Sequence, residues 1–333
     1  MSSDELPVER RLEAAGPRVM VLGGTGWVGR HVSAAFDRAG YSVLAVASKA
    51  PPKLGDTPFL AMDLVNASPR DIADMLLAER PDVVVNAAGR CWGVSEDVMR
   101  CSLFILAQRV VEGLALLPGH RPRFLQLGTV MEYGVTPYGS SITEQTPANP
   151  TGPYGRYKLA ATQLVLAAVK SGRVDGMVLR LANLAGPGTP LPSLLGKVLE
   201  QLWTAYESGE SGVVQLAPLR AWRDYLDVRD AADAVVAAAR SDLTGRVVPI
   251  GTGEAVPVRD LVTTQIAVSG VEAELVEREP VEGARASTGS GGEWLRVDPE
   301  PAREHFGWSA HRPLKDALRD DWEQFKYIRR TGS

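Results

Sequence analysis

Cysteine is nearly absent: Cys91 and Cys101 are the two in 333 residues. So few exclude a disulfide-stapled scaffold. No Cys/His spacing of the metal-binding kind occurs either, so no metal is expected. The expected compartment is the reducing cytoplasm. Long apolar runs are also missing. None approaches the roughly 18 residues that span a bilayer, and no membrane partner is expected. The first sixteen residues, MSSDELPVERRLEAAG, contain no apolar stretch and read as a flexible solvated tail, not as a leader or an anchor. Excess positive charge is the third absence. The formal net charge of -4 gives no basic footprint, so nucleic acid is not an expected partner. No internal repeat occurs.

What is present is ordinary in bulk and specific in order. Hydrophobic residues make up 45% and charged residues 23%, as in a soluble globular protein with a large core. Strand-like apolar runs occur at RVMVLG (18–23), YSVLAVA (41–47), FLAMDL (59–64), DVVVNAAG (82–89), 123–128 and VDGMVLRLAN (174–183). Helical patterns fall between them at 27–40, 68–81, 96–117 and 151–172. This alternation predicts an α/β fold with a doubly wound parallel sheet of Rossmann type, covered on both faces. After AGPGTPLP the pattern loosens. Residues 17–183 are therefore expected to form the main sheet part. Residues 184–333 are expected to be mainly a smaller lobe, with segments near 226–252 returning to the first part. RVVPIG (246–251) is such a segment, and VEGARASTGSGGEW (281–294) reads as a mobile loop.

Gly23-Gly24-Thr25-Gly26-Trp27-Val28-Gly29 follows the first strand and opens the first helix. The spacing supplies a tight turn, close backbone approach and a small residue where helix meets sheet. A pyrophosphate can then sit on the helix N-terminus. Without a ligand it is simply a Gly-rich turn; the strand–turn–helix context favours a dinucleotide. An acid ending the second strand would bind the ribose 2′-hydroxyl of NAD. Here Ala47 stands at that place, followed by Ser48 and Lys49. Nothing there repels a 2′-phosphate, so NADP (NADPH) is the expected cofactor; otherwise Ser48 and Lys49 only begin a solvated loop.

Tyr154 and Lys158 are four apart, on one face of a predicted helix. A free tyrosine has a pKa of about 10. An ammonium beside it stabilises phenolate and lowers that value. Such a pair can exchange a proton with an oxygen on a carbonyl or carbinol carbon. The spacing alone is common in helices.

The motifs GGTGWVG, Asp63, NAAG (86–89), LGTVMEYG (127–134), Tyr154/Lys158, RLANLAGPG (180–188), WRDYLDVRD (222–230), PIGTGEAV (249–256) and FGW (306–308) occur in that order. Together they resemble the extended short-chain dehydrogenase/reductase family, the NAD-dependent epimerases and dehydratases of nucleotide sugars. The likeness covers about residues 17–325. It implies a Rossmann domain with a seven-stranded core, a small C-terminal substrate lobe and a Ser/Thr–Tyr–Lys catalytic set. By this resemblance Thr129 hydrogen-bonds the reacting oxygen, Tyr154 is the proton donor, and Lys158 orients the nicotinamide ribose. Asp63, with Leu64 beside it, matches the adenine contact, and Ala87 and Ala88 line the cofactor cleft. Gly23, Thr25, Gly26, Trp27, Val28, Gly29, Ser48 and Lys49 complete the cofactor set. Asn183 and Arg223 match positions that hold the diphosphate of a nucleotide sugar; the plainer alternative for Arg223 is a surface pair with Asp224. Trp92 faces the sugar or merely packs. Glu132, where the family has valine, points toward substrate or toward solvent. The family's late D-x-S-K-A reads Asp298-Pro299-Glu300-Pro301-Ala302, without the lysine, so different docking is expected there. The resemblance also implies a homodimer joined through two helices per subunit, here those near 96–117 and 154–170.

One departure selects among reactions. In the family's 4,6-dehydratases the catalytic threonine is followed by Asp and Glu, which eliminate water across C5 and C6. Here Val130 and Met131 stand there, and neither moves a proton. Reduction of a keto sugar, or 4-epimerisation on a retained NAD, needs only hydride and one proton at the same carbon. The Ala47-Ser48-Lys49 stretch favours exchangeable NADPH. Within the family the chain most resembles the bacterial 4-ketoreductases of dTDP-4-keto-6-deoxyhexoses, so the expected substrate is a nucleotide sugar of that kind. A non-catalytic NADP-binding sensor of this fold is the alternative from another class, and the intact Tyr/Lys pair speaks against it.

Overall fold

The computed structural model describes residues 16–50, 57–119, 121–279 and 292–331. The chain begins β1 (Arg18–Leu22), α1 (Trp27–Arg38), β2 (Ser42–Ala47), β3 (Phe59–Ala61), α2 (Pro69–Glu79) and β4 (Val83–Asn86). Next come α3 (Glu96–Arg100), a π-helical turn (Cys101–Ile105), α4 (Leu106–Ala115), β5 (Arg123–Thr129), a 3₁₀ turn (Val130–Glu132), α5 (Pro153–Lys170) and β6 (Asp175–Leu181). Then follow β7 (Asn183–Ala185), α6 (Leu194–Ser208), β8 (Gly212–Leu216), β9 (Trp222–Asp227), α7 (Val228–Arg240) and β10 (Val247–Ile250). Last are β11 (Ala255–Pro257), α8 (Val258–Ser269), β12 (Ala273–Glu277), β13 (Trp294–Leu295), α9 (Glu300–Phe306) and α10 (Leu314–Thr331).

Seven strands form one parallel sheet in the order β10-β6-β5-β4-β1-β2-β3. The apolar runs such as VMVL and VVVN are buried because both faces are covered. On one face Val32, Ala35 and Phe36 of α1 pack with the alanine-rich side of α7. On the other, Ile72 and Leu76 of α2, Val110 and Leu114 of α4, and Val165 of α5 close the core. This is the doubly wound Rossmann arrangement expected from the alternation. Strand order reverses between β1 and β4, which opens a crevice at their C-terminal ends, where such folds bind ligands.

Several boundaries differ from the pattern reading, each for a local reason. The strand expected to reach residue 64 stops at Ala61, because Asp63 starts a turn. Its carboxylate accepts the Val65 amide at 3.1 Å, and its carbonyl accepts the Ala67 amide at 2.8 Å. The strand expected over 82–89 ends at Asn86, whose side chain accepts the Ala88 amide at 3.2 Å and donates to Gln126 at 2.8 Å. The helix expected over 96–117 contains the π-helical turn, where Ser102 Oγ donates to Met99 and Arg90 carbonyls. The run 174–183 divides: β6 stays in the main sheet, and Asn183 starts β7 beside β9.

β7, β9, β11 and β13 form a second sheet, and β8 pairs with β12. Trp203 of α6, Val262 of α8, and Trp322 and Phe325 of α10 share a separate core there. In the late segment Val297 bridges Ile142, and Ala302 is buried against the main core, so it docks without the family's lysine. The expected tail lies outside the described residues except Gly16, as does the expected mobile loop except 292–294. Among the described residues no helix is long and apolar enough to cross a membrane.

Candidate active site

The glycine loop lies at the C-terminal end of β1, with the Gly23 amide donating to the Val46 carbonyl at 2.7 Å. A Cβ on Gly29 would stand 2.0 Å from the Gly23 carbonyl oxygen, so only glycine lets α1 start this close to the loop. Gly26 caps α1 without a side-chain hydrogen bond, and the first turn holds no acid. Its amides are thus uncapped by side chains and can receive an anion, so the cradle fits a dinucleotide pyrophosphate. The loop rests on Ala87 and Ala88, which are half-buried; the Ala87 amide donates to the Leu22 carbonyl at 2.9 Å. Thr25, Trp27 and Val28 are half-buried around the turn. Ser48 and Lys49 are exposed just past β2, and Asp63 is exposed past β3 with Leu64 turned into the core.

α1 is clamped to the loop after β7. Trp27 Nε1 donates to the Pro187 carbonyl at 3.0 Å, and His31 Nε2 lies 2.9 Å from the same oxygen. Arg30 donates to the carbonyls of Pro187 and Gly188 at 3.3 and 3.2 Å. The amides of Gly188 and Thr189 donate to buried Asp321 of α10 at 2.9 and 3.1 Å. Burial pushes the Asp321 carboxyl up to about 6, against the pull of these donors and of Arg30.

The structure brings Thr129, Tyr154 and Lys158 together. β5 ends on Thr129, whose Oγ1 accepts the Met131 amide at 3.3 Å and caps the 3₁₀ turn. Tyr154 lies in the first turn of α5, with its phenol facing the Thr129 hydroxyl. Lys158 is buried one turn further and donates to the Leu127 carbonyl at 2.8 Å. The four-residue spacing leads one to expect the ammonium to lower the phenol. In the fold the phenol is pushed above its ordinary value, chiefly by burial, then by Cys91 and Glu132, against Thr129. Lys158 is itself lowered by burial, opposed by Glu132 and Cys91. The Lys158 ammonium is bonded to the Leu127 carbonyl of β5, and at the phenol burial outweighs the hydroxyl of Thr129. Tyr154 is thus held as a protonated acid.

Glu132 requires a correction. It points neither to substrate nor to solvent but is fully buried behind Thr129. Its Oε1 accepts the Thr129 amide at 2.9 Å. The alternative for Arg223 also fails. Asp224 is buried and accepts from Thr252, Gly253 and Val297, so no surface pair forms. Arg223 is buried too and donates to the carbonyls of Trp222 and Gly292. Burial lowers its pKa. Asn183 is half-buried at the start of β7, where it faces the Tyr225 phenol, which burial raises and Asn183 lowers. Trp92 is 46% exposed and so is not a core-packing residue. The pattern missed Cys91, which electrostatics couples to both Tyr154 and Lys158; burial pushes its thiol up to about 11. The one signal for it was its place just past NAAG.

Residues 19–251 match the NAD dependent epimerase/dehydratase family. The chain belongs to this family. It is an NAD(P)-dependent oxidoreductase of the extended short-chain dehydrogenase/reductase type. A dTDP-6-deoxy-L-talose 4-dehydrogenase (NAD(P)(+)) from Kitasatospora kifunensis is 42% identical, covering 92% of this chain and 95% of that protein. A GDP-6-deoxy-D-mannose reductase from Pseudomonas aeruginosa is 27% identical over 92% of this chain and 97% of its own. The solved structure of RMD from Pseudomonas aeruginosa, complexed with NADPH, superposes with a TM-score of 0.78 at 21% identity. It covers 93% of this chain and 98% of that one, which makes it a likeness of fold.

Proposed function

We propose that this enzyme reduces the C4 keto group of a dTDP-linked 4-keto-6-deoxyhexose with NADPH. The observation that carries the reading is the turn after Thr129. Val130 is buried and Met131 gives its amide to Thr129, so the turn offers no carboxylate at the two positions dehydration needs. What remains is one acid, Tyr154, beside one hydroxyl, Thr129, which suits proton exchange at a single carbinol carbon. The Kitasatospora relative is named for oxidation at that carbon, and a dehydrogenation run backwards is a keto reduction.

The bound cofactor supplies the hydride. The amides at the start of α1 hold its pyrophosphate, and Ser48 and Lys49 receive the 2′-phosphate. Asn183 and Arg223 anchor the sugar diphosphate. A buried guanidinium held only by carbonyls among its described hydrogen-bond partners suits an anion. Trp92 and Cys91 stand beside the sugar. Thr129 and Tyr154 both donate to the carbonyl oxygen as negative charge grows there, which stabilises the transition state more than the ground state. Tyr154 then gives up its proton to that oxygen. Lys158 keeps α5 on β5 and orients the nicotinamide ribose.

The test uses NADPH deuterated at C4 of the nicotinamide and a panel of nucleotide-linked 4-keto-6-deoxyhexoses. Deuterium is expected at sugar C4, with stoichiometric NADP⁺ release. Inversion at C4 without net cofactor consumption would instead identify an epimerase.

A further inference from the structure

Glu132 is a fully buried charge next to the catalytic trio, and proton exchange at the sugar does not use it. Its two oxygens reach three separate elements. Oε1 accepts the amide of Thr129, the last residue of β5, at 2.9 Å. Oε2 accepts Thr162 Oγ1 on α5 and Arg180 Nε on β6, both at 2.8 Å. Tyr154, Lys158 and Thr162 recur every four residues, so one face of α5 carries both the proton donor and the link to Glu132. Arg180 is buried in turn, with its guanidinium 4.4 Å from the centre of the Tyr133 ring. A Cβ on Gly128 would come within 2.6 Å of Glu132 Oε1, so β5 has no side chain where the carboxylate passes beneath it.

We propose that Glu132 is a positioning residue for the reaction: a buried carboxylate that clamps Thr129 of β5 to the helix carrying Tyr154 and Lys158, with Arg180 as its counter-charge. This rests on the reading that Thr129 and Tyr154 meet at one oxygen. Those two hydroxyls come from a strand end and a helix start, and no covalent constraint fixes their separation. The carboxylate fixes it by bonding both elements at once. Its charge acts in the same place. The groups facing Tyr154 are Cys91, from the loop after β4, Thr129 and Glu132; those facing Lys158 are Cys91 and Glu132. Arg180, Tyr133, Lys158 and Thr162 face Glu132 itself. The negative charge favours the protonated form of both the phenol and the ammonium, which is the state reduction needs.

The test compares Glu132→Val/Arg180→Met, Glu132→Gln and Thr162→Val with wild type, on the keto sugar that wild type reduces fastest. Removing both charges leaves no orphaned ion, so the double variant is expected to fold and bind NADPH. Its kcat should fall about 10²-fold, the scale of a roughly 1 Å misplacement, with KM little changed. Glu132→Gln should move the alkaline limb of the kcat profile to lower pH, because the charge that retains both protons is gone. Thr162→Val keeps shape and removes one hydroxyl; kcat should fall about 3- to 10-fold, the worth of one hydrogen bond. Wild-type kcat and an unshifted limb in a folded double variant would show the network to be structural only. If the double variant fails to fold, unchanged kcat in Thr162→Val together with an unshifted limb in Glu132→Gln overturns the proposal. The underlying reading fails separately, if Tyr154→Phe retains turnover.

Discussion

Lys158 donates its ammonium to the carbonyl of Leu127 at 2.8 Å, and Thr129 lies two residues further along the same strand. The lysine therefore fastens the helix start to the strand end before any ligand is bound. The phenol of Tyr154 is held protonated mainly by burial.

Tyr154→Phe removes the proton donor and little else. Turnover should fall roughly 10²- to 10⁴-fold, the usual worth of a placed acid. NADPH affinity should be nearly intact, because the phenol takes no part in the pyrophosphate cradle. Steady-state kinetics beside a fluorescence titration of NADPH checks both halves.

Asp321 gives a pH dependence of stability. Its folded carboxyl sits at about 6 against an ordinary 3.8, so the folded state binds the proton more tightly. That stabilisation is fully present below the ordinary value and is lost as pH rises through about 6. The loss is at most about 3 kcal/mol, since one unit is about 1.4 kcal/mol. Asp321→Asn keeps Oδ1 for the Gly188 and Thr189 amides and should flatten this slope. Denaturant melts across the acid range decide it; an unchanged slope would clear Asp321 of the effect.

NADPH should bind more tightly than NADH. Lys49 is exposed just past β2, with no carboxylate at Ala47. Lys49→Ala should weaken NADPH by about 1–2 kcal/mol, the range of a charge-assisted contact, and leave NADH unchanged. Calorimetric titration of both cofactors tests this, and equal affinity in wild type would refute it.

The protein should be a homodimer in solution. Phe104, Ile105, Leu159 and Leu166, from the π-helical turn and α5, are only half-buried, which leaves apolar surface for a partner copy. Leu159→Asp should shift the mass toward monomer by light scattering at micromolar concentration. A monomeric wild type would end the idea.

The order of elements, the glycine loop and the shared helix face of Tyr154 and Lys158 are legible because they depend on local spacing. Gly29 must approach Gly23, and Tyr154 and Lys158 must share a helix face; both conditions are written within a few residues. The alternation of VMVL and VVVN with amphipathic helices likewise needs only short windows. The placement of Glu132 was not legible. It follows two apolar residues in a polar-looking turn, and what draws it inward is Arg180 and Thr162, which are distant in sequence. The surface pair offered as the alternative for Arg223 fails for the same reason, since the burial of Asp224 depends on the Thr252 turn. The raised phenol of Tyr154 reflects burial, a property of the assembled fold that a four-residue spacing cannot carry.

β10 closes the sheet beside β6, yet it is made from residues 247–250, some 65 residues after β6 ends. During synthesis residues 18–181 therefore emerge with a bare β6 edge, a row of unpaired amides and carbonyls open to other chains. The ribosome must deliver β7, α6, β8, β9 and α7 before that edge is covered. A truncation after residue 183 would carry Thr129, Tyr154 and Lys158 and still present an unpaired strand to its neighbours. The last strand of the main sheet to be made is thus the one that covers its β6 edge.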